Sequence, residues 1–212
     1  MGTLTKGILG SFRGKVGNMV ASTWRGKDTI RSKPGPRKTG FSPEQLQQQA
    51  RFAAMVKFLK PLSDLLNQVY DGSAVGMTGF NKACSYSIQN GISGAYPNFT
   101  INYPMVQLGQ GNLPNVESVQ AASAAAGRLT LTWPDNSGNG KAAADDKAFV
   151  AVYCEALDRW IFRQNAAARS AGTFTLDAPA FSGKPVQTWL GFVPNKGKLA
   201  TTSLYAGQTN LL

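Results

Sequence analysis

Along the first 40 residues, apolar positions are sparse and alternate with polar ones. Asn18-Met19-Val20-Ala21-Ser22-Thr23-Trp24 has a period of two; a turn signal follows at Arg25-Gly26-Lys27-Asp28, and then Thr29-Ile30-Arg31-Ser32. This pattern predicts a short, twisted hairpin. So small an arm has too little apolar surface to fold alone and is expected to dock on something. The run Arg31-Ser32-Lys33-Pro34-Gly35-Pro36-Arg37-Lys38 predicts an extended linker, because proline and glycine block regular pairing.

The period then changes to helical. Ser42-Pro43-Glu44-Gln45 is a helix start, with Ser42 as cap, Pro43 at the first helical position and Gln45 three residues after the cap. Leu46, Ala50, Ala53, Ala54, Lys57 and Phe58 follow at helical spacing. Pro61 should end or kink this helix. A second helix is predicted from Leu62 to Tyr70, before a turn at Asp71-Gly72. A third is predicted from about Thr78 to Gln89, stopped by Asn90-Gly91.

From Tyr96 onward the texture is that of strands. Phe99 to Leu108 reads as extended and Gly109-Gln110-Gly111-Asn112-Leu113-Pro114 as a linker. Short, turn-bounded strands follow at Arg128–Trp133, Ala148–Tyr153, Arg159–Phe162, Gly172–Leu176, Val186–Val193 and Leu199–Ala206. This spacing predicts an antiparallel β-sandwich of about seven strands, with Trp133, Val150, Val152, Leu176, Leu190 and Phe192 in its core. The order of signals is Leu129-x-Leu131-x-Trp133, a loop, Val150-x-Val152-Tyr153, a Thr-x-Thr-Leu strand, Phe192-Val193-Pro194 and a final Ser203-x-Tyr205. Over residues 115–208 it resembles the fibronectin type III pattern. The expected class is therefore α+β: a Gly-rich basic arm (1–40), a helical region (41–95), then an extended strand, linker and sandwich (96–212).

Charge changes the picture at the N-terminal end. Of the formal net charge of +11, residues 1–60 carry +10, with 12 Lys/Arg against 2 Asp/Glu; the remaining 152 residues are nearly neutral. A basic block beside a neutral body suggests a polyanion, an acidic partner surface or a neighbour in an assembly. The candidate contact residues are Arg13, Lys15, Arg25, Lys27, Arg31, Lys33, Arg37 and Lys38, with Phe12 and Trp24 interleaved. The aromatics could stack on bases while the cations neutralise phosphates, or pack on protein while the cations face a neighbouring subunit.

Other chemistry is sparse. The chain has no histidine, which excludes Ser-His-Asp and Cys-His arrangements and the common histidine zinc sites. Cys84 and Cys154 are far apart and form no Cys-x-x-Cys unit. There is no phosphate loop with a trailing Lys-Ser/Thr. No cofactor and no enzymatic activity are expected. No apolar run approaches the roughly 20 residues of a membrane span, and the first ten residues do not form a signal-peptide core; cytoplasmic synthesis is expected. Asp135-Asn136-Ser137-Gly138-Asn139-Gly140 is the sharpest motif. Asp135, Ser137, Asn139 and Asp146 occupy the positions of ligands in a calcium loop, although the flanks read as strands and the plainer reading is a polar loop. Trp160 and Trp189 could stack on sugars or serve as core.

Two further resemblances extend this reading. The N-terminal 90 residues, the Asp-Lys-Ala…Val-Tyr strand and the C-terminal Ser-Leu-Tyr-Ala-Gly resemble a family of uncharacterised Bacteroidota proteins of this size. That likeness implies no activity or site. Gln45-x-x-x-Gln49-x-Arg51-Phe52, Leu62-Ser63 and Gly79-Phe80-Asn81 resemble a helical pattern of phage-encoded hypothetical proteins, which implies a virion association. The expected function is a non-enzymatic assembly subunit, phage virion-like, as a homo-oligomer or larger assembly. A cytoplasmic nucleic-acid-binding protein and a glycan- or surface-binding sandwich are the alternatives.

Overall fold

In the computed structural model, which describes residues 3–4, 12–24, 26–36, 40–70, 77–195 and 200–212, the alternating N-terminal stretch forms an antiparallel sheet. Its strands are β1 (Thr3–Leu4), β2 (Phe12–Val16), β3 (Met19–Trp24) and β4 (Lys27–Ser32), in that spatial order. The predicted hairpin is β3–β4, with Trp24 opposite Lys27. Met1–Pro43 is one compact unit and Glu44–Leu212 the other.

Three helices follow, α1 (Pro43–Leu59), whose first residue closes the first unit, α2 (Ser63–Val69) and α3 (Gly79–Asn90). Pro43 opens α1, as its fixed φ favours. The helix gives way at Lys60–Leu62 to a single 3₁₀ turn around Pro61. The Thr78 hydroxyl caps α3 by accepting from the Asn81 N–H at 3.1 Å. The turn expected at Asp71-Gly72 lies outside the described residues.

A small hairpin, β5 (Ile92–Ala95) with β6 (Asn98–Ile101), follows. The sandwich then comprises β7 (Gln120–Ala125), β8 (Arg128–Thr132), β9 (Lys147–Cys154), β10 (Arg159–Arg163), β11 (Thr173–Asp177), β12 (Pro185–Val193) and β13 (Leu204–Asn210). One sheet runs β11-β8-β7 and the other β10-β9-β12-β13, all neighbours antiparallel. Between the sheets lie Trp133, Val150, Val152, Leu176, Leu190 and Phe192, all buried in one cluster. The predicted sandwich core is thus the observed one.

The other face of the larger sheet is also covered. Phe149, Ala151, Tyr153 and Trp189, offset by one residue from the sandwich core, share a second cluster with Met55, Phe58, Leu59, Leu62, Leu65 and Leu66 of the helices. This two-sided burial explains why β9 and β12 read as nearly continuous apolar runs. Trp160 donates through Nε1 to the Phe58 carbonyl at 2.8 Å, and Trp189 to that of Val106 at 3.2 Å. The division expected between residues 95 and 96 therefore runs through the middle of a shared core.

Four segments depart from the sequence expectations. Phe99–Leu108 is extended only to Ile101; a 3₁₀ turn at Tyr103–Met105, built on Pro104, then takes over. Residues 109–114 are a packed strap rather than a linker. Leu113 N–H donates to the Ala200 carbonyl at 3.2 Å, Ser203 N–H to that of Gly109 at 3.1 Å, and a Cβ at Gly111 would lie 2.2 Å from the Ala200 oxygen. The glycines serve close backbone approach, not flexibility. The third departure is β7, whose Gln-Ala-Ala-Ser-Ala-Ala sequence lacks the β-branched and aromatic residues that announce a strand. Of the final strand predicted at 199–206, Leu199 lies outside the described residues and regular pairing begins only at Leu204.

Candidate contact surface of the N-terminal sheet

The cross-strand register decides which residues share a face, because side chains alternate and directly opposed residues point the same way. Lys15 is opposite Val20, and Val20 is opposite Arg31. Two residues further along come Ser22 and Thr29, and then Trp24 and Lys27. The Ser22 and Thr29 hydroxyls lie 3.0 Å apart, as partners on one face must. One face therefore carries Lys15, Lys27, Arg31 and Trp24 around a polar centre. The other carries Val16, Met19, Ala21 and Ile30, together with Thr23 and Asp28, which hydrogen bond to each other.

Most of these side chains face solvent. Lys15, Lys27 and Arg31 are exposed, and Trp24 retains 57% of its surface. On the opposite face Val16, Met19 and Ile30 are 50%, 49% and 62% exposed. Arg13, expected in the basic group, instead turns toward Thr23, to which its Nε donates at 3.3 Å. Lys33 follows β4, with its backbone N–H donating to the Asn18 carbonyl at 2.6 Å. Arg25, Arg37 and Lys38 lie outside the described residues, as does the Phe12 side chain.

The calcium-loop residues are used otherwise. Asp146 is buried, and its Oδ2 accepts from Arg169 Nε and from the Ala143 N–H, each at 3.0 Å. Arg169 is itself fully buried. Its Nη1 donates to Asn136 at 2.7 Å, and its guanidinium lies 4.3 Å over the Phe192 ring. Asp146 is thus the counter-ion of a buried arginine, not a twelfth ligand. Asp135 accepts from the Ser137 hydroxyl and N–H, which hold its carboxyl below the usual range. Among the described residues, no three acidic or cysteine side chains cluster to hold a metal. Trp189, weighed as a sugar platform, is fully buried, and Trp160 packs beside it with ring centroids 5.3 Å apart.

The helical region offers a second concavity. A groove of about 470 Å³ between α1 and α3 is lined by Phe52, Val56, Phe80, Cys84, Ile88 and polar neighbours. Burial pushes the Cys84 thiol up to about 11, so it is not a thiolate near neutrality. At the edge of the helix–sheet core, Asp158 takes Lys57 Nζ at 2.6 Å and the Tyr153 hydroxyl at 2.9 Å. Lys57 and then Tyr153 hold the Asp158 carboxyl below its usual range, while burial, Asp158 and its neighbours push the Tyr153 phenol up. Sequence reasoning passed over this pair, since Lys57 and Asp158 are 101 positions apart.

Residues 11–207 match the model of a protein family, DUF6266, described as a family of unknown function. The chain belongs to DUF6266. The matched stretch takes in β2–β4 as well as the helices and most of the sandwich, so the basic sheet lies within the family's span. Among solved structures, this DUF6266 chain is similar to the fibronectin type III domain of the human collagen α1(XX) chain. The identity there is 12%, the match covers 49% of this chain and 91% of that one, and the TM-score is 0.36. It is also similar to the chicken CNTN1 FN1–FN3 domains, at 15% identity, with coverage of 48% and 35% and a TM-score of 0.37. No curated protein matches the chain. Among the described residues, no helix of this DUF6266 protein is long and apolar enough to cross a membrane.

Proposed function

We propose that the protein is a non-enzymatic assembly subunit of the phage-virion kind, with the helix-backed sandwich as its body and the N-terminal sheet as its connecting element. The observation that carries this reading is the exposed apolar face of that sheet: Val16, Met19 and Ile30 each keep about half of their surface or more. A single sheet gains stability by burying one face against a second layer. The occupant is the same face of a second copy. Edge pairing is disfavoured, because an antiparallel β4–β4 pair related by a two-fold axis keeps like faces together. It would set the basic row Lys27, Arg31 against itself, and opposed like charges destabilise a ladder. Face-to-face stacking buries the apolar residues and leaves the cations outward. The chain's lack of histidine and the engagement of Asp146 and Asp158 by cations support a role without catalysis.

The test is the solution mass of the nuclease-treated protein by light scattering. An oligomer that Met19→Glu and Ile30→Glu convert to monomer, with the melting of the second unit unchanged, is the expected result. A wild-type monomer at all concentrations, or an oligomer indifferent to both substitutions, overturns it.

A further inference from the structure

The opposite face of the N-terminal sheet has a different chemistry and a different partner. We infer that the face carrying Lys15, Trp24, Lys27 and Arg31 binds single-stranded nucleic acid. The inference does not depend on the stacked pair proposed above, because it uses the other face of the sheet.

The argument begins with spacing. Lys15 and Arg31 flank Val20 on the two adjacent strands, which places them roughly 10 Å apart across the sheet. Lys27 and Arg31 are four residues apart on β4, or roughly 13–14 Å along it. Three cations thus frame a patch on the order of 10 by 14 Å. Its interior is Val20, Ser22 and Thr29, with no acidic side chain; Asp28 of the same strand belongs to the other face, where it bonds to Thr23. A like-signed patch on a flat, exposed surface attracts a polyanion and gains from release of its counterions.

Trp24 decides which polyanion. It stands directly opposite Lys27, at the corner of the patch, with 57% of its surface exposed. An indole beside an ammonium group is suited to a base stacked next to its own phosphate, the arrangement by which single strands are held without sequence readout. In a duplex the base faces are already stacked on one another, and an acidic polypeptide has no aromatic face to offer. The hydroxyls of Ser22 and Thr29 lie between the stacking and the charged positions and add donors for sugar or phosphate oxygens.

The experiment titrates the full-length, nuclease-treated protein against a fluorescein-labelled 15-mer of thymidylate. A hairpin duplex of equal charge and poly-L-glutamate serve as competitors, and each titration is repeated across a series of salt concentrations. The single strand should bind best, and its binding should quench tryptophan fluorescence. Log affinity should fall with log salt with a slope of about −2, as three neutralised phosphates imply. Each of Lys15→Glu, Lys27→Glu and Arg31→Glu should flatten that slope by about 0.7. Trp24→Ala should weaken the single strand roughly tenfold and leave the slope unchanged. The matched control reverses Lys60, Lys141 and Arg159, exposed cations of the second unit. Circular dichroism checks that every variant is folded. The inference is overturned if reversing the three control cations together loses as much affinity as reversing Lys15, Lys27 and Arg31 together. It is also overturned if duplex or poly-L-glutamate competes as well as the single strand, or if Trp24→Ala leaves affinity and quenching untouched. A wild-type protein that stays monomeric at all concentrations yet binds the single strand would sink the stacked pair alone.

Discussion

The two units solve the problem of apolar surface in opposite ways. In the second unit the larger sheet is sealed on both sides, by the β11-β8-β7 sheet and by the helices, and its central strands are almost wholly buried. In the first unit the described strands form one sheet, in which Ala21 is the one buried hydrophobic residue among the described ones. Alternation is present in both. It becomes a core only where two layers exist to close over it. One unit is stabilised from within; the other presents two chemically distinct surfaces to whatever lies outside it.

The sharpest way to break this contrast is to attack the interior of the second unit. Asp146→Ala would leave the fully buried Arg169 charge without its counter-ion, which costs about 3–5 kcal/mol. Urea melts should show that loss without any change in the properties of the first unit. A smaller effect is expected at the strap. Gly111→Ala forces a methyl group against the Ala200 carbonyl, and overpacking of this kind costs about 1–3 kcal/mol. If 109–114 were a free linker, the same substitution would be neutral in a thermal melt.

Removing residues 1–40 sharpens the contrast from the other side. The melting of the remaining chain should move by no more than about 0.5 kcal/mol, the range of substitutions that touch no core, while self-association and oligonucleotide binding are lost. An unfolded truncation would show that the first unit is part of the core after all.

A small effect is also expected at Asp158. Its backbone is left-handed, with φ at 47°, a region asparagine tolerates, so Asp158→Asn removes the charge while keeping the turn. The exposed pair with Lys57 should be worth less than about 1 kcal/mol. The carboxyl is held below its usual value in the folded state. Its contribution is therefore present above the unfolded carboxylate pKa and lost as pH falls through the folded one. Wild type and variant should differ in stability at neutral pH and converge as the pH falls through the folded-state pKa of Asp158.

Much of the architecture was legible because it is local. Pro43 opens the first helix and Pro61 ends it where proline's chemistry requires, and the alternation in β8, β9 and β12 named the sandwich core. What could not be read is long-range. Nothing near Gly109 or Gly111 in sequence shows that Ala200 and Ser203 will lie against them. The apolar run through Phe149, Ala151 and Tyr153 says that this side of the sheet is covered, not that helices are what covers it. At the contact surface, composition located the charge but not its division between faces. The register supplied that, gathering Lys15, Lys27, Arg31 and Trp24, while a hydrogen bond to Thr23 turns Arg13 aside. The calcium motif failed because Arg169, 23 residues beyond Asp146, claims its carboxylate.

The indole bonds from Trp160 to Phe58 and from Trp189 to Val106 have a consequence for motion. A strand protected on one side can open toward solvent while its other side stays packed. Strands β9 and β12 have no such side. Exposing their amides requires the helices to detach and the sandwich to part, in a single event. Hydrogen exchange in those strands should therefore proceed only by global unfolding, with helical and sandwich amides of the core sharing one opening free energy, so that the second unit breathes as a whole or not at all.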